Sequence, residues 1–122
     1  MTKSDSDFTS DQPQLKQILD LALEKKASNI VALDVRGLSS LTDFFVICNG
    51  ESDPQVKAIT DNIRKGTDHK PRHLEGYENQ NWDLLDYFDV IVHIFNKEER
   101  EYYGLERLWA DAPIMEISDD KT

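Results

Sequence analysis

Cysteine is almost absent from this 122-residue chain: Cys48 stands alone, so neither an internal disulfide nor a Cys-rich zinc cage can form. That usage fits a reducing compartment. No apolar run approaches the roughly 20 residues that a membrane helix requires, which argues against a spanning segment. Basic residues are also scarce. Fourteen Lys and Arg face 24 Asp and Glu, for a formal charge of -10 at pH 7, the wrong sign for a protein that coats nucleic acid by releasing phosphate counterions. The opening residues, MTKSDSDFTSDQPQ, contain no basic region leading into an apolar stretch and are too acidic for an organelle transit peptide, so the cytoplasm is the expected location. The length suits a single domain.

Residues 1 to 13 are mostly Ser, Thr, Asp and Gln and are expected to form a flexible tail, because they offer too little apolar surface to offset the entropy of ordering. The domain proper is expected to run from 14 to 112. Leu15, Ile18, Leu19, Ala22 and Leu23 recur at helical spacing behind Pro13, which predicts a helix over 14–27. The β-branched run at 30–35 predicts a strand that Gly37 ends, and the nearly continuous apolar stretch DFFVICN at 43–49 predicts a second, covered on both faces. A capping Ser52 or Asp53 and then Pro54 open a helix to about Lys65, with Val56, Ile59 and Ile63 as its buried stripe. Pro71 to Leu74 has room for a short edge strand, and 82–87 with 89–95 read as a hairpin turning near Phe88 and Asp89. A third helix is expected over 98–110, with Tyr102, Leu105, Leu108 and Trp109 on one face; Pro113 then breaks the pattern and 113–122 form an acidic tail. Three helices alternating with about five strands give an α/β (α+β) class with one mixed sheet flanked by helices.

Few residues recommend themselves for metal or covalent chemistry. His69 and His73 would share a helical face, but Pro71 lies between them, and His93 sits inside an apolar strand. Cys48 follows Phe45, Val46 and Ile47 and reads as a small buried hydrophobe. Asp83, Asp86 and Asp89 fall at intervals of three, whereas two carboxylates sharing a metal on one strand belong at i and i+2. They read as solvated charges and turn formers around the hairpin. Gly50 to Ser52 has one glycine, no following Lys-Ser or Lys-Thr and acids that repel an anion, so capping explains it better than a phosphate cradle. No cofactor or metal is implied.

Charge by segment is more informative. From Pro54 to His73, Lys57, Arg64, Lys65, Lys70 and Arg72 outnumber Asp61 and Asp68; from Leu74 to Phe95, Glu75, Glu78, Asp83, Asp86 and Asp89 stand without a Lys or Arg. The acidic stretch also carries Tyr77, Trp82, Tyr87, Phe88 and Phe95. Aromatic anchors ringed by acids suit docking of a basic protein, while Trp82 and Leu84 could equally fill the core. Both readings stand at this point.

Leu41-Thr42-Asp43-Phe44-Phe45-Val46-Ile47, Gln55 to Ile59, Glu75-Gly76, Trp82-Asp83-Leu84-Leu85-Asp86-Tyr87, Asp89 to Phe95 and Tyr103 to Asp111 together resemble the ribosomal silencing factor family, also called Iojap. The likeness covers about residues 15 to 112. It implies a nucleotidyltransferase-like fold without that fold's catalytic signature, and a non-enzymatic translation repressor. Such a repressor binds large-subunit ribosomal protein uL14 of the 50S particle, makes little direct rRNA contact, and blocks subunit joining when nutrients are scarce. The resemblance implies a uL14-binding set of Glu75, Trp82, Leu84, Leu85, Asp86 and Tyr87, with Trp82 as anchor. One departure is Phe88, where the family often has glycine. Two other functions compete: a nucleotidyltransferase-like nucleotide-binding enzyme using Asp34, Asp43 or Asp86, and a homodimeric scaffold joined through the aromatic face of the third helix. The assembly expected is a monomer or weak homodimer.

Overall fold

A computed structural model of the protein describes residues 12–76, 82–98 and 111–117. The first helix, α1 (Pro13–Glu24), starts on a proline whose missing N–H costs nothing in a first turn, and buries Leu15, Ile18, Leu19 and Ala22. It ends earlier than the sequence pattern predicts. Lys26 takes a left-handed φ of 62°, and the amides of Lys26 and Ala27 fold back onto the carbonyls of Leu23 and Ala22 at 2.9 and 3.1 Å, which closes the helix without a glycine.

Strand β1 (Ser28–Asp34) and strand β2 (Phe44–Gly50) follow, and every residue of β2 is buried. Helix α2 (Asp53–Gly66) is capped by Ser52, whose hydroxyl accepts from the Gln55 amide at 3.3 Å. At its far end the Lys70 ammonium donates to the carbonyls of Arg64, Lys65 and Thr67 at 3.0 to 3.2 Å, placing a cation against the negative end of the helix dipole. Strands β3 (His73–Glu75), β4 (Trp82–Asp86) and β5 (Val90–Asn96) then complete one side of the sheet.

The sixth strand, β6 (Ile114–Ile117), falls where the sequence predicted only an acidic tail. It pairs with β1, Leu33 opposite Ile114 and Ile30 opposite Ile117, and among its residues only Met115 is buried. Four residues with one inward side chain carry too little periodicity to announce a strand. The expected helix over 98–110 lies outside the described residues beyond Glu98.

The sheet order is β3-β4-β5-β2-β1-β6, with β2 and β5 parallel and the remaining neighbours antiparallel. The interior place of β2 explains its nearly continuous apolar run, because both its faces are covered. Helices α1 and α2 pack on one face over Ile30, Ala32, Phe44, Val46, Cys48, Leu85, Val92 and Ile94. The far face holds a second cluster of Val31, Leu33, Val35, Phe45, Ile47, Phe95 and Ala112, with Trp82 and Ile91 partly buried beside it. Among the described residues no helix is long and apolar enough to cross a membrane.

Candidate functional site

Side chains alternate across a strand, so the Trp82 to Tyr87 motif divides between the two faces. Trp82, Leu84 and Asp86 are partly buried on the far face; Asp83 and Leu85 are fully buried beneath the helices, and Tyr87, just past the strand, is buried with them. Two of the expected docking residues therefore lie in the core. Leu85 is a core side chain at 0% exposure, and the Tyr87 hydroxyl shares a 2.9 Å hydrogen bond with Thr67, which locks the ring against the end of α2. Burial pushes the Tyr87 phenol above its ordinary pKa.

The other four come together. Glu75 of β3 lies directly opposite Leu84, and His73 opposite Asp86, so Glu75, Trp82, Leu84 and Asp86 share the far face at the β3–β4 edge. Gly76 makes this edge possible. Its φ is +77°, and a Cβ there would collide with the Trp82 carbonyl oxygen.

Trp82 is positioned by a ladder of rings. It stacks on Phe95, its directly paired neighbour, with centroids 5.3 Å apart, and on His93 at 6.0 Å; His93 in turn meets Phe45 at 5.5 Å. The indole Nε1 donates to His93 Nδ1 at 3.2 Å. An indole N–H can only donate, so Nδ1 is the bare nitrogen and the neutral imidazole carries its proton on Nε2. Burial favours that neutral form and lowers the His93 pKa to about 4. This pairing links residues 11 apart in sequence and becomes visible only with the register of β4 on β5.

Asp86 is held as well. Its Oδ1 accepts from the Phe88 amide at 2.8 Å and pairs with Arg72 Nε at 3.2 Å, while the Arg72 amide donates to the Asp86 carbonyl at 2.8 Å. The Arg72 guanidinium lies 4.8 Å from the centre of the Phe88 ring. Phe88 itself adopts φ 82°, the left-handed region where glycine is at ease and a bulky residue is strained. Asp83 departs from its sequence reading: expected as a solvated turn acid, it is 0% exposed and its Oδ2 lies 2.7 Å from the Thr60 hydroxyl of α2. Desolvation raises its pKa.

The basic stretch from 54 to 73 is largely engaged within the molecule. Lys57 and Arg64 both pair with Asp61, at 3.1 and 3.3 Å, Lys70 seals α2 and Arg72 holds Asp86. The acids offered for nucleotide chemistry diverge. Asp34 lies on the helix-covered face, where a two-pronged contact with Arg36 at 2.8 and 3.0 Å lowers its pKa, whereas Asp86 belongs to the far face. Among the described residues, no three His, Cys, Asp or Glu side chains gather as a metal-binding group.

Comparison with known proteins agrees with this architecture. The family model described as "Ribosomal silencing factor during starvation" matches residues 8–122. The chain is 44% identical over 111 residues to the ribosomal silencing factor of Halalkalibacterium halodurans, covering 88% of this chain and 95% of that one, and 43% identical over 109 residues to that of Bacillus subtilis, covering 84% and 92%. A crystal structure of a Chromobacterium violaceum protein superposes with a TM-score of 0.79 at 30% identity, over 81% of this chain and 85% of that one. A family model spanning nearly the whole chain and relatives 43–44% identical along most of their length lead to one conclusion: the chain belongs to the ribosomal silencing factor family.

Proposed function

We propose that this protein represses translation by docking its far-face edge onto ribosomal protein uL14 of the 50S subunit, so that its bulk occludes the small subunit. Membership of the ribosomal silencing factor family makes it a ribosome-associated regulator of translation. The observation that carries the finer reading is the gathering of Glu75, Trp82, Leu84 and Asp86 on one side of the β3–β4 edge. An aromatic ring seated on a rigid ladder loses little freedom on binding, and acids around it steer a basic partner while repelling rRNA phosphate. Asp86 is committed to Arg72 and the Phe88 amide, so Glu75, exposed and in no salt bridge among the described residues, is the acid assigned to a Lys or Arg of the partner. The action is steric and requires no reaction on the protein.

Co-sedimentation with isolated 50S particles tests this. Trp82→Ala should weaken binding by about tenfold or more, the scale of an interface anchor, and Glu75→Lys should weaken it further as salt is lowered, because a repulsive charge then acts unscreened. Unchanged binding by both folded variants would remove this face from the interface.

A further inference from the structure

The large apolar side chains exposed among the described residues are Leu38 at 50%, Leu41 at 67%, Phe88 at 65% and Ile114 at 39%. The sheet register places all four at the same end of the molecule. Asp34 lies opposite Phe44 and Phe44 opposite Val90, so the β1–β2 connection carrying Leu38 and Leu41 adjoins the β4–β5 turn carrying Phe88. Leu33 opposite Ile114 brings in the start of β6. Backbone hydrogen bonds tie these segments: the Asp43 and Phe44 amides donate to the Asp89 carbonyl at 3.2 and 3.1 Å, and the Asp34 amide to the Pro113 carbonyl at 3.0 Å. From β4 to β6 the row crosses four strand spacings, about 19 Å. Trp82 sits at the opposite end of β4.

These side chains are held outward by ordered backbone. The Leu38 and Ser39 amides both return to the Val35 carbonyl, at 2.9 and 3.0 Å, and the Ser39 hydroxyl accepts from the Leu41 amide at 3.0 Å. Phe88 is fixed in a left-handed conformation by Asp86 while its ring stays largely in solvent. Keeping a strained, exposed aromatic in place is a cost that a merely structural turn avoids with glycine.

The surrounding charge identifies the occupant. Arg36 is paired with Asp34 and Arg72 with Asp86, while Asp43, Asp89 and Asp111 make no salt bridge among the described residues. A second copy of the chain would meet this end acid to acid, and RNA would meet it phosphate to acid. We infer that the Leu38–Leu41–Phe88–Ile114 end is a second docking surface, for a basic protein that inserts apolar side chains among these four. It rests on the ribosomal reading above only in placing that basic protein on the 50S particle.

The test uses the full chain, isolated 50S particles and the variants Leu41→Ser, Phe88→Gly, their combination and Trp82→Ala. Phe88→Gly removes the ring yet relaxes the backbone, so its effect is not one of misfolding, and thermal melts verify that each variant is folded. The double variant is expected to bind at least about tenfold more weakly than the parent, the effect of losing interface anchors. Binding within twofold of the parent, with Trp82→Ala still impaired, overturns this surface and leaves the first. A parent chain that fails to sediment with 50S overturns both. A photo-crosslinker at position 88 is expected to capture a ribosomal protein; capture of rRNA overturns the inference.

Discussion

Asp83 and Asp86 are three residues apart on one strand and live in opposite worlds. Asp83 points under α2, out of reach of water, with a threonine hydroxyl for company, while Asp86 points to the far face and holds an arginine, an amide and a turn. Leu84 and Leu85 divide in the same way, one at a candidate interface and one in the core. A linear motif is thus not an epitope. Half of WDLLDY fastens the strand to the helices, which gives the other half a rigid support on which to present Trp82.

The sharpest way to break this contrast is to empty the inner half. Leu85→Ala should cost about 2–5 kcal/mol, the range for deleting a buried leucine side chain with partial collapse of the cavity, whereas Leu84→Ala should cost less than about 1 kcal/mol. Urea unfolding of the two variants measures both; equal losses would mean that the faces are not distinct. The folded fraction of Leu85→Ala should retain its affinity for 50S, because Leu85 is buried beneath the helices and not at the surface.

A second test takes the support from beneath Trp82. His93 has a folded pKa of about 4 against 6.5 when unfolded, so between those values the unfolded chain binds the extra proton and stability falls as the pH falls. The full effect is about 3 kcal/mol, fully present above pH 6.5 and gone below about pH 4. Protonation also puts a hydrogen on Nδ1, which the indole N–H cannot face, so Trp82 fluorescence of the folded protein should shift near pH 4, below the window in which stability begins to fall. Replacing His93 by Phe keeps a ring in the ladder and should remove this part of the pH dependence; a parent and variant with parallel acid profiles would disprove the pairing.

Much of this was legible beforehand because periodicity reports burial. The nearly continuous apolar run of β2 marks an interior strand, and the apolar stripe on α2, Val56, Ile59 and Ile63, is buried as its spacing predicts, with Thr60 beside it. What stayed hidden depends on partners distant in sequence. The early end of α1 comes from a left-handed lysine that no glycine signals. The period of two already puts Asp83 on the side of Leu85, yet the surface preference of aspartate outweighed it, since Thr60 waits 23 residues upstream. Trp82 needed His93 and Phe95, and those meet it only through strand register.

That same threonine limits the protonation of Asp83. Its hydroxyl has one hydrogen and lies 2.9 Å from the Val56 carbonyl and 2.7 Å from Asp83 Oδ2. If Asp83 is ionised, two acceptors compete for that hydrogen, and Oδ1 is left buried without a hydrogen-bond partner among the described residues. If Asp83 carries the proton, the acid donates to the hydroxyl and the hydroxyl donates to Val56, which satisfies both contacts. The charged neighbours do not reverse this: Lys57 favours ionisation and Asp61 opposes it, and the two are paired at 3.1 Å. With a folded pKa above 3.8, the contribution of Asp83 is complete below that pH and lost as the pH rises through the folded value, opposite in sign to His93. Asp83→Asn supplies an amide donor to the Thr60 hydroxyl at every pH. It should therefore be more stable than the parent at pH 7 by about 1 kcal/mol, the worth of a hydrogen bond mended, with the gap closing as the pH falls toward 4. A destabilised variant whose deficit is independent of pH would mean that Asp83 works as an anion, and that the buried side of β4 carries a charge after all.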